Sequence, residues 1–309
     1  MINVLFSARS DRWPQYRQPL ADAFLKAGLK VDLSCDHAPE TVDYIVFAPG
    51  GPVSDFTPFT RCKAVLGLWA GVETVVDNPT LTQPLTRMVD SGLREGMVEW
   101  VTGHVLRHHL GMDAHITGQD GNWQPEIPPL ARHRTVGILG LGALGTACAL
   151  ALRGLRFDVA GWSRREKQVE GVACFHGPEG LHQVLARSEI LVLLLPQTPE
   201  TENTLDAQTL AMLPRGAVVI NPGRGPLIDD AALLSALDSG QIGHATLDVF
   251  RTEPLPPESP FWQHPKVTVT PHIASATRPD SAAQLIAGNI LRAEGGRPLL
   301  NLVDRAAGY

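Results

Sequence analysis

The apolar strand Val136 to Leu139 runs straight into Gly140-Leu141-Gly142-Ala143-Leu144-Gly145, and an alanine-rich helical pattern follows at once. Few folds accept this arrangement. Gly140 permits a tight turn, Gly142 lets a ligand approach the backbone, and Gly145 lets the helix pack close to the strand. The helix N-terminus supplies unpaired N–H groups and the positive end of a dipole, which suits a pyrophosphate. Glycine spacing alone is weak, because a tight turn can exist with no ligand. With a strand before, a helix after and a second strand ending on schedule, residues 140–145 are expected to bind a dinucleotide, Leu141, Ala143 and Leu144 contributing through their backbone.

The rest of the chain alternates short apolar runs with longer helical patterns, the mark of α/β architecture with parallel sheets. Strands are predicted at Ile2–Phe6, Lys30–Leu33, Tyr44–Phe47, Val65–Leu68 and Thr86–Val89, then, beyond the glycine turn, at Asp158–Gly161, Ile190–Leu195, Ala217–Asn221, Ala245–Val249 and Val267–Thr270. Helices are predicted over Trp13–Ala27, Gly96–Gly111, the stretch after Asp229 or Asp230 that stops at Gly240, and Arg278–Glu294. Gln124 to Arg134 carries three prolines and reads as a connector. A length of 309 residues suggests two domains. With 44% hydrophobic and 19% charged residues the composition is that of a globular protein, and a formal charge of −6 argues against nucleic acid as a partner. The four cysteines are scattered, the start lacks the pattern of a signal peptide, and the longest apolar run, Ile190 to Pro196, is far short of a bilayer span, so a cytoplasmic protein with no membrane partner is expected.

About 20 residues beyond the last glycine, dinucleotide folds place an acid that bonds the adenosine ribose. This chain has Ser163, Arg164 and Arg165 there. A hydroxyl and two guanidinium groups suit a 2′-phosphate, so NADPH is expected over NADH. Asp158 sits at the wrong end of the strand to replace the acid. The alternative is that the arginines are ordinary surface charges.

Three later segments each place a polar residue just past a strand, the edge at which such sheets bind ligands. They supply Arg224, Asp248 with Glu253, and His272. His272 suits a general acid, Glu253 would raise its pKa, and Arg224 would hold a carboxylate and polarise a carbonyl. Each taken singly has an ordinary structural explanation. Together they describe reduction of a small anionic 2-keto acid.

The motifs GILGLGALG, WSRREK, LLPQTPET, NPGRG, ALDSGQIGHATLDVF, EPLPPESPFWQHP, VTVTPHIA and VDRAAGY resemble those of the D-isomer-specific 2-hydroxyacid dehydrogenase family, closest to its glyoxylate/hydroxypyruvate reductase A branch. The resemblance implies two doubly wound parallel-sheet domains: a discontinuous flavodoxin-like substrate domain, 1–95 and 276–309, and a Rossmann NADP-binding domain, 96–275. It implies Arg224, Glu253 and His272 as the catalytic residues, Asp248 beside the nicotinamide carboxamide, and Leu195 and Pro196 along the adenosine. It also implies a homodimer to which the helix near 96–111 contributes. The family's substrate loop is Gly-Ala-Gly-Val-Asp; here it is Trp69, Ala70, Gly71, Val72 and Glu73, which places Trp69, Ala70 and Gly71 with Arg224 at the substrate. Trp69 either adds bulk there, favouring larger substrates, or packs into its own domain. A non-catalytic NAD(P)H sensor on the same scaffold would keep the same residues. His104 and His108, one turn apart, lack a third ligand, so no metal is expected, and they are assigned to a helix surface or dimer contact.

Overall fold

A computed structural model describes residues 1–123 and 125–308; Gln124, which opens the expected connector, and Tyr309, which ends the C-terminal motif, lie outside the described residues. The chain divides into two compact units, Met1–Leu93 with Ala276–Tyr309, and Arg94–Ser275.

The first unit holds β1 (Ile2–Ser7), α1 (Trp13–Lys26), β2 (Val31–Ser34), β3 (Tyr44–Phe47), β4 (Ala64–Gly67) and β5 (Leu85–Thr86). These five strands form a parallel sheet in the order β2-β1-β3-β4-β5, the flavodoxin-like arrangement. β3 is buried at every position, as a parallel strand covered on both faces must be. α1 buries Tyr16, Leu20 and Phe24, one per turn, and Pro14 sits harmlessly in its first turn. That stripe packs with Ala283, Ile286 and Ile290 of the last helix in one apolar cluster.

α2 (Ser91–His109) contains the first boundary between the units. The second unit continues with α3 (Met112–Ile116), β6 (Thr135–Leu139), α4 (Ala143–Gly154), β7 (Asp158–Ser163), β8 (Ala173–His176), α5 (Gly177–Arg187), β9 (Ile190–Leu193), α6 (Ala207–Met212), β10 (Ala217–Asn221), α7 (Asp230–Asp238), β11 (Ile242–Leu247) and β12 (Val267–Val269). Its seven strands are all parallel in the order β12-β11-β10-β9-β6-β7-β8. Strand order reverses between β6 and β9, and ligands of such sheets bind at the strand ends beside that point. α8 (Pro279–Glu294) belongs to the first unit.

Several boundaries differ from expectation. β5 is two residues long because its backbone is soon diverted, with Thr86 bridging Leu302 and the Met88 N–H donating to Trp69. α2 starts five residues early, where the Asp90 carboxylate accepts from the Leu93 N–H and Ser91-Gly92 is already helical. β8 was not foreseen: its short run between Gly171 and Gly177 has little periodicity and gains strand form by pairing β7 at the sheet edge.

His108 does not lie on an open surface. Its Nε2 meets the Thr246 hydroxyl of β11 at 2.8 Å, and its ring lies tilted 4.9 Å from that of His244, which in turn meets Thr268 at 2.9 Å. Burial first, then neighbouring cations, push the two imidazoles down to about 3 (His108) and about 4 (His244). Both rings are therefore neutral when folded and protonate near 6.5 when unfolded, so their contribution is intact above that value and is lost as pH falls below it. At pH 5 the loss is up to about 2 kcal/mol per ring. Urea unfolding between pH 7 and pH 5 should show this decline, and His108→Gln should flatten it; an equal slope in the variant would refute the assignment.

Candidate functional site

The turn after β6 is shaped by two glycines that cannot be exchanged, Gly140 and Gly145. Gly140 has φ +106°, and a Cβ there would meet the Leu194 backbone. A Cβ on Gly145 would collide with the Gly140 carbonyl oxygen, which is what brings α4 so close to the strand. Gly142, the N-cap of α4, has no atom within 4 Å of the space a Cβ would fill. No side chain caps this 12-residue helix, so its first N–H groups and dipole stand available to a phosphate. The loop after β9 forms the opposite wall at the switch point: Leu195 is buried, and the Thr201 hydroxyl donates to the Pro196 carbonyl at 2.7 Å. These residues fit a dinucleotide.

At the end of β7, Arg164 and Arg165 are exposed, and Ser163 is buried. The Ser163 hydroxyl, expected to donate to a phosphate, instead donates to the Arg165 carbonyl at 2.7 Å. It shapes the arginine turn from within. Sequence reasoning missed Lys167, whose ammonium donates to the Leu141 carbonyl at 2.6 Å and adds a third cation beside the glycine turn. Asp158 is occupied at the far end of β7, accepting from Thr135 (3.0 Å) and Arg187 (2.8 Å).

Arg224, Glu253 and His272 follow β10, β11 and β12. His272 Nδ1 lies 2.7 Å from Glu253 Oε2. A carboxylate only accepts, so Nδ1 carries the proton. That hydrogen bond, opposed by partial burial and aided by the Glu253 charge, raises the His272 pKa above its ordinary value. Partial burial pushes the Glu253 carboxyl up, but hydrogen bonds from His272 and the Phe250 N–H, with the charges of His272 and Arg224, bring it below its ordinary value. The His272 side chain is 51% exposed, which leaves its other nitrogen reachable. Its backbone sits at φ +53°, unusual for a residue with a side chain, and is held there by its N–H donating to Asp248 (2.8 Å) and Thr270 (3.1 Å). Nothing in the sequence signalled this conformation.

Arg224 is fixed by its own turn. Its guanidinium donates to the Gly223 carbonyl at 2.7 Å, while the Asn221 amide donates to the Arg224 carbonyl (2.9 Å) and accepts from the Gly223 N–H (3.1 Å). Asn221, 1% exposed, was read only as the end of a strand. Its signal is a buried amide at a strand terminus, which needs partners.

Asp248, expected beside the nicotinamide carboxamide, is held by the loop that carries His272. It is 1% exposed. Its carboxylate accepts from the Thr270 hydroxyl (2.5 Å) and the Ile273 and Ala274 N–H groups (both 2.9 Å). All three donors flank His272, so this acid holds the histidine loop. In the first unit, Trp69, Ala70 and Gly71 follow β4; Trp69 is 44% exposed, so its ring is not packed into that unit's core.

A family model, D-isomer specific 2-hydroxyacid dehydrogenase, NAD binding domain, matches residues 102–274. A D-isomer specific 2-hydroxyacid dehydrogenase from Xanthobacter autotrophicus Py2, solved with NADPH and MES, is 43% identical and covers 100% of this chain and 99% of its own at a TM-score of 0.92. An NADPH-dependent glyoxylate/hydroxypyruvate reductase from Sinorhizobium meliloti, solved with NADP and sulfate, is 36% identical over 100% of both chains at 0.86. A probable 2-hydroxyacid dehydrogenase from Rhizobium etli CFN 42, solved with NADP, HEPES and L(+)-tartaric acid, is 33% identical over 100% and 99% at 0.89.

The two glycines of the turn should respond in opposite ways. Gly145→Ala forces α4 away from β6 and should cost about 3 kcal/mol or more in urea unfolding, whereas Gly142→Ala, at an ordinary φ and in open space, should stay within roughly 0.5 kcal/mol. Equal costs would contradict the described turn.

Proposed function

Because the chain belongs to the D-isomer specific 2-hydroxyacid dehydrogenase family, NAD(P)-dependent oxidoreductases acting on the CH–OH group, we propose that it reduces small 2-keto acids with NADPH, glyoxylate and hydroxypyruvate first among them. The observation that carries this is the His272–Glu253 pair at 2.7 Å, in which a carboxylate orients an imidazole and favours its charged form. When bound, the nicotinamide would supply a hydride. His272 Nε2 gives the proton that the developing alkoxide requires, while Nδ1 stays with Glu253. Arg224 holds the substrate carboxylate and draws charge onto the carbonyl oxygen. Asp248 and Asn221 keep the histidine and arginine loops in place.

Residues 140–145 take the pyrophosphate, Leu195 and Pro196 border the adenosine, and Arg164 and Arg165 take the 2′-phosphate. Trp69, Ala70 and Gly71 are the substrate loop, and the exposed Trp69 ring makes bulkier 2-keto acids the second class to test. We also infer a homodimer: Trp123 (95% exposed) and Ile127 (91%) present apolar surface that a second copy would cover. Among the described residues no helix is long and apolar enough to cross a membrane, and with all four cysteines free we place the protein in the cytoplasm.

NADPH oxidation across a panel of keto acids tests the proposal, and absence of turnover with all of them would favour a nucleotide sensor. Arg164→Ala with Arg165→Ala should weaken NADPH at least about tenfold and NADH far less; equal weakening would reject the phosphate assignment. His272→Ala should lower kcat by about 10²–10⁴ with NADPH affinity retained.

The pH profile carries a sign. Reduction needs the imidazolium, so kcat/KM should fall as pH rises through a pKa above 6.5. Glu253→Gln removes the carboxylate and should move that alkaline limb down towards 6.5; an unmoved limb would separate Glu253 from the proton donor.

A further inference from the structure

Arg251 lies between the two residues that hold and carry the Glu253 carboxylate, yet it reaches away from them. Its Nη2 donates to the Ile228 carbonyl at 2.7 Å, to the Pro226 carbonyl at 3.4 Å and to the Asn203 side-chain oxygen. Its Nη1 meets Glu202 Oε1 at 3.3 Å, and its Nε lies 3.8 Å from Asp230 Oδ1. Glu202 and Asn203 belong to the loop after β9 that carries Leu195 and Pro196. Pro226 and Ile228 lie just past Arg224. One planar cation thus ties together the loops that follow β9, β10 and β11.

Backbone contacts run along the same line. A Cβ on Gly225 would collide with the Phe250 carbonyl group and the Arg251 nitrogen, so the residue after Arg224 rests on the peptide that begins Arg251. The N–H of that same Phe250 donates to Glu253 Oε1 at 2.9 Å. The first two loops are themselves joined, the Asn203 N–H donating to Pro226 (2.9 Å) and the Leu205 N–H to Leu227 (3.0 Å).

We propose that Arg251 is a positioning residue: its guanidinium holds the Arg224 turn against the Phe250–Glu253 loop, and so sets the substrate-binding arginine in register with the proton donor. This rests on the keto-acid reduction proposed above. Without Arg251 the Gly225–Phe250 contact loosens, Arg224 shifts relative to His272, and Glu253 loses part of its support. Displacements on the order of 1 Å at reacting groups cost up to about a hundredfold in rate. The glycine turn is built by other residues and is untouched.

The test uses the full-length enzyme. Arg251→Ala should raise KM for the keto acid severalfold and lower kcat about tenfold, with NADPH affinity within about twofold of wild type. Arg251→Lys should recover little of this, because an ammonium cannot span three loops as a planar fork does. Titration of the His272 imidazole by NMR gives a readout free of turnover. Its ionisation answers to Glu253, Asp248 and Arg224, and loosening Glu253 should lower its pKa in both variants. An imidazole titration and a kcat unchanged in Arg251→Ala, or losses no greater than the fraction unfolded, would overturn the role. If wild type reduces no keto acid, the reduction itself falls, while the imidazole titration still decides Arg251.

Discussion

The 2.7 Å contact between His272 and Glu253 joins side chains that follow different strands, and it survives only if both loops are held still. An imidazolium beside a carboxylate is worth little when both are mobile and wet, because side-chain entropy and solvent screening consume the attraction. Here neither group is left to find the other. Glu253 receives the Phe250 N–H on its second oxygen, and the His272 backbone is pinned at a positive φ by hydrogen bonds from its own N–H. Preorganisation of this kind turns a weak surface pair into a fixed one.

Behind that pair stands a layer of short, buried polar side chains. Asp248 gathers three donors around the histidine, Asn221 braces both ends of the arginine turn, and each is 1% exposed. A buried carboxylate is costly unless its lone pairs are used, and Asp248 uses three of them on one loop. Removing one donor would shift the charge balance and the loop together. His272 can therefore stay half-exposed, because the ordering is done one layer down.

The architecture was legible in the sequence because it rests on periodicity and on glycines whose positions have a single geometric cause. β3 and β10 match their expected bounds, and Gly140 and Gly145 prove to be sites of close backbone approach. Arg224, Glu253 and His272 were legible as residues past strand ends, since a parallel sheet places such residues along one edge. What stayed hidden depends on partners remote in the chain. Ser163 looked like a phosphate donor until its hydroxyl was found on Arg165, and His108 looked like a surface residue until Thr246 and His244 were found against it. A polar residue in a sequence shows what it can bond, not with what; the fold supplies the second half.

Arg251 and Lys167 show where that limit falls. Both are cations in loops, and a loop cation read alone is a solvated charge. Lys167 instead donates to the Leu141 carbonyl, and Arg251 donates to the carbonyls of Pro226 and Ile228 as well as to the side chains of Glu202 and Asn203. Carbonyls carry no sequence signature, because every residue has one. Cations that serve the backbone are thus the residues a sequence conceals best. In this protein they sit beside the glycine turn and the arginine turn.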